Sequence, residues 1–378
     1  MYEFLFPDFT GKGNCIFQRG YALSYRNQLE PDTLVSQFIQ HPPEGFSVSS
    51  VAGNVPAFCM NFDLLTTMEP ALQQKIFHLP LYRFWGKWLR FFSCFIGTTV
   101  SEYTLLPETV SPAEFALQLK QTQAKHFPLL IVKDIPLESP LLSDSDNIYA
   151  RQCIDELEKQ GFLIMEGQAL AWLPVNHRDE ADYLGRLSGS RRKDLKRKLK
   201  KRSDVEVRIL NGGDPFFHKP EMLELFYRLY LNVFKQSEIH FDLLSKEFFS
   251  ALLQDKAAGS VIFTYYRDGQ LIGYNICFVR DDILIDKYIG LEYPAARECN
   301  LYFLSWFENL NYALEKGLKT YVAGWTDPEI KSYLGARFTF TKHAVYIRNP
   351  VLRFVLSRLK RLFESDSQWQ ETKASSKN

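Results

Sequence analysis

The chain has 378 residues, room for two ordinary domains that each bury a core. Its 46% hydrophobic and 24% charged residues are those of a globular protein, and an aromatic share of 15% suits β-rich packing. A net charge of +1 excludes a global pull towards nucleic acid or membrane, so any such attraction has to come from local clusters.

Residues 1–45 read as a β-containing segment and a short helix, PDTLVSQFIQ, with Pro31 near its start. From Val51 the pattern turns to strands, NVPAFCMNFDLL and RFFSCFIGTTVSEYTLL, separated by a partly helical EPALQQKIFHLPLYRFWG. Ser111, Pro112 and Glu114 open the next helix in capping-box order. FPLLIVKDIPL is a buried strand, DNIYARQCIDELEKQG a helix closed by Gly161, and FLIMEGQ and ALAWLPV are two short strands. A break at 176–180 leads into DYLGRLSGSRRKDLKRKLKKRSD, the most charge-dense segment. VEVRIL then reads as a strand, NGGDP as a turn, and EMLELFYRLYLNVFKQS and SKEFFSALLQDKAAG as helices.

VIFTYY, LIGYNICFV and ILIDKYIGL form an antiparallel meander with turns at Arg267-Asp268-Gly269 and Arg280-Asp281-Asp282. The loop GLEYPAAREC feeds the helix CNLYFLSWFENLNYALEKG, whose first turn has free N–H groups suited to an anion. After it come the strand KTYVAGW, a short helix in DPEIKSYLG, the strand KHAVYIRN, the amphipathic helix PVLRFVLSRLKRLFES, and a tail of disordered composition. Each half mixes strands with two or three helices in similar order, an α/β (α+β) arrangement of two related domains.

The six cysteines (Cys15, Cys59, Cys94, Cys153, Cys277, Cys299) show no CxxC and no zinc spacing, which points to buried thiols of a reduced cytoplasmic protein without a metal centre. The first residues lack the basic-then-apolar order of a signal peptide. The most apolar window, around FHLPLYRFWGKWLRFFSCFIG, is broken by Arg83, Lys87 and Arg90.

Four stretches carry a family resemblance: SRRKDLKRKLKK before a strand and a long helix, FFSALLQDKAAGSVIFTYYRDGQLIGYNICF, LIDKYIGLEYPAARECNLYFLSWFENLNYALEKGLKTYVAG, and IKSYLGARF. Together they resemble the GNAT-type acyltransferases, and within them the FemAB-like proteins built from two such domains side by side. The resemblance covers about residues 180–350, and the first half by layout alone. It implies two GNAT-like domains, 1–184 and 185–350, each a mixed, largely antiparallel sheet flanked by helices, with the amphipathic helix and tail over 351–378. It also implies an N-acyltransferase that moves an acyl group from acyl-CoA to an amine of an amino sugar, amino acid or cell-envelope precursor. Direct attack is expected, since no activated nucleophile is visible. The loop before the helix lacks a Gly-rich diphosphate signature, and Cys299-Asn300 stand where some relatives have Pro-Gly. Aminoacyl-tRNA, which some family members use, is the other donor.

Acyl transfer needs a held carbonyl, a route for the amine's proton and an acid for the leaving group. In a GNAT-like layout the carbonyl lies where two parallel strands part, here ILIDKYIGL and KTYVAGW. Near their ends Tyr288 is expected to protonate the leaving group and Asp286 to orient the amine, with Lys287, Trp325 and Asp327 close by. Lys331, in the place of the family's Lys, is expected to contact a phosphate, a carboxylate or the carbonyl. His240, in SEIHFD, could bring a base over the cleft from a loop. Donor phosphates are assigned to Arg297, Asn300 and Gly324, and to Arg191 and Arg192 at the head of the basic run. Each residue also has an ordinary structural reading, and for His343, on a strand, that reading is the favoured one.

The run Arg191–Arg202 has only Asp194 against it, so CoA phosphates, a tRNA backbone or anionic lipid would stabilise it. LYRFWGKWLRFF and VLRFVLSRLKRLF mix aromatic and basic residues. Both suit either packed elements with a basic outer face or a peripheral contact with the inner face of a membrane. The rival to an enzyme is a non-catalytic GNAT-fold module that binds lipid or nucleic acid.

Overall fold

The computed structural model describes residues 25–67, 70–237 and 241–359. The first 24 residues, the C-terminal tail and His240 lie outside the described residues, and so do the expectations placed on them. The strands are β1 (Tyr25–Arg26), β2 (Ser47–Val51), β3 (Val55–Asp63), β4 (Arg90–Ile96), β5 (Leu106–Pro107), β6 (Leu129–Leu137) and β7 (Leu163–Pro174) in the first half. The second half has β8 (Glu206–Asn211), β9 (Ser260–Arg267), β10 (Gln270–Arg280), β11 (Ile283–Leu291), β12 (Thr320–Gly324) and β13 (Arg337–Ile347). The helices up to the break are α1 (Asp32–Gln40), α2 (Pro70–Phe77), α3 (Tyr82–Trp85), α4 (Pro112–Gln121), α5 (Gln123–His126) and α6 (Asp144–Lys159). Beyond it come α7 (Glu180–Gly185), α8 (Gly189–Leu199), α9 (Pro220–Gln236), α10 (Lys246–Gln254), α11 (Ala295–Glu298), α12 (Leu301–Glu315), α13 (Pro328–Leu334) and α14 (Pro350–Leu359).

Local chemistry sets most of these bounds. Ser111 and Ser143 cap α4 and α6 through their hydroxyls. Gly161, at φ +85°, turns the chain out of α6 towards β7. The meander β9–β10–β11 turns at Asp268-Gly269 and Asp281-Asp282. Two expectations need correction. FLIMEGQ and ALAWLPV are one twelve-residue strand, β7. Gly167 does not break it, because a Cβ there would come within 2.2 Å of Thr341 Oγ1; glycine lets β13 pass close alongside. RFFSCFIGTTVSEYTLL ends as a strand at Ile96, and its remainder is a buried polar loop leading to β5.

Eleven strands form one mixed sheet in the order β2-β3-β4-β6-β13-β7-β12-β11-β10-β9-β8, flanked by helices. Within it the two halves repeat a plan. Each has an antiparallel set ending in a parallel pair, β4 with β6 and β11 with β12, and each parallel pair is bridged by helices. The last strand of each half is exchanged: β13 pairs with β6, and β7 pairs with β12, while β13 and β7 pair with one another. Three successive antiparallel steps make β6 and β12, and with them the two parallel pairs, run in opposite directions.

One apolar cluster spans the join. Phe58 and Phe95 of the first half stack at 4.9 Å, Phe58 and Phe46 stack at 4.7 Å, and the same cluster takes in Phe226, Phe248, Phe249 and Tyr274 from the second half. Because Phe58 is wholly buried, Phe58→Ala should destabilise the fold by about 3–5 kcal/mol. Chemical denaturation followed by far-UV circular dichroism measures this, and a loss below about 1 kcal/mol would show that the stack does not hold the halves together.

Candidate functional site

β11 carries an extra residue. Ile276 of β10 faces Tyr288 and Cys277 faces Asp286, so Lys287 bulges out of register. Plain alternation would put Asp286 and Tyr288 on one face; the bulge turns them to opposite faces. Tyr288 packs with Phe248 and Phe249 on the α9–α10 side. Asp286 points towards α12.

The Asp286 carboxylate is half-buried and accepts hydrogen bonds from Asn275 (3.2 Å), Asn309 (3.0 Å) and the Tyr321 hydroxyl (3.0 Å). Desolvation holds it above the usual carboxylate range, against the pull of Asn275, Tyr321 and Lys331. Asn275 and Asn309 were not singled out from sequence. Their signal is a polar amide inside an apolar strand and on the buried face of an apolar helix, where such a group must find a partner.

β11 and β12 pair in parallel only from Ile283–Ile285 to Thr320–Val322, then part. β12 ends at Gly324 (φ +78°), where a Cβ would lie 3.7 Å from the Asp286 carbonyl oxygen and 3.8 Å from Lys331 Nζ. Lys331 therefore reaches from α13 into the gap between the strands, and it is buried there, with 5% of its surface exposed. Burial brings its ammonium down to about 8, while Asp286, Asp327 and Glu102 oppose the shift through charge. Burial, with the nearby charges of Asp327 and Asp286, raises the Tyr302 hydroxyl at the start of α12.

Across the bulge lies a second buried set, contributed by both halves. Lys287 pairs with Glu102 at 2.6 Å and stands 3.7 Å from Glu30, whose carboxylate accepts the Glu102 backbone N–H at 2.5 Å. Burial pushes the Glu30 carboxyl up to about 7 despite Lys287. Desolvation alone would lower the Lys287 ammonium, but Glu102 and Glu30 outweigh it and hold it above its usual value. Asp242, raised to about 6 by desolvation, faces Lys133 and Lys287. The Tyr288 hydroxyl is buried without a hydrogen-bond partner among the described residues, and burial pushes it well above the ordinary phenol value. Sequence reading missed Glu30 and Glu102, which are isolated acids in separate segments with no local pattern.

The basic run is the helix α8, capped by Ser188. Arg191 donates to the Ser332 carbonyl at 3.3 Å and lies over the Tyr333 ring, Tyr333 donates to Asp194 at 2.8 Å, and Lys198 sits over Phe303. These contacts seat α8 on α13 and on the first turn of α12. Arg197 and Lys198 take Asp194, Lys201 takes Asp204, and Arg202 takes Glu180 and Glu308. Arg192, Lys193, Lys196 and Lys200 have no acid partner among the described residues. Arg297 turns away to Gln236 (2.6 Å) and the Tyr293 ring. Asn300, at φ +51°, joins α11 to α12, and the N–H groups of Cys299 and Asn300 already donate to Ala295 and Arg297 carbonyls. The N–H groups of residues 296–300 are thus bonded within a helical turn. His343 accepts the Asp134 N–H at 3.0 Å, a structural contact. The structure brings Asp286, Gly324 and Lys331 together, seats Arg191 on α13, and turns Tyr288 to the opposite face of β11.

A family model named FemAB-like, described as peptidoglycan biosynthesis/recognition, matches residues 121–373, more than half of the chain. Among curated proteins none matches this sequence. Among solved structures the chain is similar to L-PGS from Bacillus licheniformis, with 11% identity, 89% of this chain and 98% of that one covered, and a TM-score of 0.49. It is also similar to FemX (11% identity, 85% and 97% covered, TM-score 0.48). A tandem GNAT protein from the clavulanic acid biosynthesis pathway is similar at 12% identity, with 87% and 93% covered and a TM-score of 0.42.

Lys331 makes a prediction about stability. Its folded pKa lies below the unfolded lysine value, so its charge costs stability fully below about pH 8, and the cost fades as pH rises to about 10.4. Lys331→Met should therefore raise stability at pH 7 by up to about 3 kcal/mol, with the gain vanishing near pH 10–11. Thermal melts of both proteins across this range check it, and a variant less stable than wild type at pH 7 would contradict it.

Proposed function

The chain belongs to the FemAB-like family, and we propose that it moves an aminoacyl group from aminoacyl-tRNA to an amine of a cell-envelope precursor, in the gap between β11 and β12. The observation that carries this reading is the juxtaposition on α13. Lys331 is sunk in the gap beside Asp286, and α8, which carries the unpaired cations Arg192, Lys193 and Lys196, is seated on the same helix through Arg191. The family's description, peptidoglycan biosynthesis/recognition, supports an acceptor from the cell envelope.

Two features favour tRNA over the acyl-CoA expected from the sequence. The turn α11 uses N–H groups that a diphosphate would need, and Arg297 is held by Gln236. A row of cations along a helix suits a phosphodiester backbone, which is recognised by charge over a distance.

In the transfer the amine nitrogen attacks the ester carbonyl, and the carbon–oxygen bond to the ribose then breaks. The ribose oxygen leaves with a proton from the Lys331 ammonium, and the proton released by the attacking nitrogen passes to the Lys331 amine, which restores the ammonium and balances the exchange. A donor with a pKa of about 8 works near its optimum close to neutral pH. Asp286, fixed by Asn275, Asn309 and Tyr321, keeps the ammonium in place by charge.

Purified protein incubated with labelled aminoacyl-tRNA and peptidoglycan-precursor amines should transfer label, whereas a panel of acyl-CoAs should not. Transfer from acyl-CoA alone would overturn the donor, and transfer from neither would leave a binding module. With the donor identified, Lys331→Ala should lower turnover by about 10²-fold or more, and the wild-type rate should fall as pH rises through about 8. Replacing Arg192, Lys193 and Lys196 with serine should weaken tRNA binding and reduce the log–log salt slope by about 2 to 3. An unchanged slope would remove α8 from the tRNA contact.

A further inference from the structure

The surface where β4 begins is chemically distinct. Residues 70–89, holding α2 and α3, lead into β4 at Arg90, and along them Phe77, Leu79, Leu81 and Phe84 are 47, 48, 70 and 71% exposed. α14 leaves the end of β13 with Val351 and Phe354 also in the open, at 70% and 61%. The two segments share one surface because the start of β4, the start of β6 and the end of β13 are neighbours at one end of the sheet. A hollow of about 380 Å³ between them is lined by Phe91, Pro128, Ile347, Arg348, Asn349 and Leu352. Single exposed apolar side chains are ordinary, but six large ones gathered at one end of a sheet mark a binding face.

The charges these two segments carry are all of one sign. Residues 70–92 contain Lys75, Arg83, Lys87 and Arg90, residues 348–359 contain Arg348, Arg353 and Arg358, and neither stretch contains an acid. Among the described residues only Arg90 finds a carboxylate, that of Asp63. A chain of net charge +1 thus keeps seven cations at one end. A second copy docked through the same face would set these cations against their own kind. A bilayer with anionic headgroups offers both complements, an apolar layer for the rings and phosphates for the cations, whose methylene stems can lie along the boundary.

We propose that this end of the molecule docks on the surface of an anionic lipid bilayer. Leu81, Phe84, Val351 and Phe354 enter the acyl boundary, and Arg83, Lys87, Arg348 and Arg358 meet headgroup phosphates. The contact is peripheral: among the described residues no helix is long and apolar enough to cross a membrane. It rests on this surface alone and is independent of which donor the gap between β11 and β12 takes.

Co-sedimentation of the full chain with vesicles tests this. The protein should pellet with phosphatidylglycerol–phosphatidylethanolamine vesicles and stay in solution with phosphatidylcholine alone. Leu81→Asp with Phe84→Asp, and separately Val351→Asp with Phe354→Asp, should abolish pelleting while far-UV circular dichroism and the thermal midpoint stay as in wild type. Arg83→Ser with Lys87→Ser should weaken binding about 25-fold, at about five-fold per charge, and added salt should weaken wild-type binding. Absence of pelleting with anionic vesicles would overturn the proposal, as would pelleting that all three double variants retain. A wild-type dimer in light scattering that becomes a monomer on Phe84→Asp would assign the face to a second copy and overturn it as well.

Discussion

β13 is bonded along both edges, to β6 on one side and β7 on the other, and those two strands belong to the other half of the chain. The sheet therefore has no free edge at the junction of the halves and no seam of side-chain contacts alone. Hydrogen-bonded backbone is stiff across a ladder and costly to break in a buried setting, so the halves are held at a fixed separation and angle. Everything at the centre follows from this constraint. The two parallel pairs are made to run in opposite directions within one sheet, and the loop after β4 is brought within reach of β11.

The centre is where charge is concentrated. Glu30 and Glu102 come from the first half and Lys287 from the second, so the ion pairs of Lys287 cross between the halves. Removing a member would leave an unpaired buried charge, the costly case for ion pairs of this kind. The bulge that creates Lys287's position also divides the site. On one side it leaves Asp286 held by two amides and a phenol near Lys331, and on the other it leaves Tyr288 in an apolar setting. One inserted residue thus makes two chemically different environments from a single strand.

Much of this was legible in the sequence, because the signals were local. Aspartate-rich turns marked the meander, serine caps and glycines marked helix ends, and the strand–loop–helix–strand order put Asp286, Gly324 and Lys331 in one neighbourhood. What escaped was non-local. A bulge leaves no trace in the alternation of ILIDKYIGL, since the extra residue is defined only by the partner strand. The Glu30–Glu102–Lys287 set joins three distant segments. β7 read as two strands because Gly167 resembles a breaker until β13 is known to run against it. The loop Glu292–Asn300 read as an anion cradle, and its folding into the turn α11, with the N–H groups of residues 296–300 bonded there, was not legible.

The exchange of β7 and β13 also bears on how the chain is made. β6 must wait for β13, with Leu129 pairing to Ile347, and both edges of β7 stay open until β12 and β13 have been synthesised. The first half thus emerges with unpaired strand edges and an incomplete core, and most of the second half is translated before its sheet can close. Pairings of such long range fold slowly, and open edges are templates for aggregation. A nascent chain of this topology depends on protection of its first half until the last strand arrives.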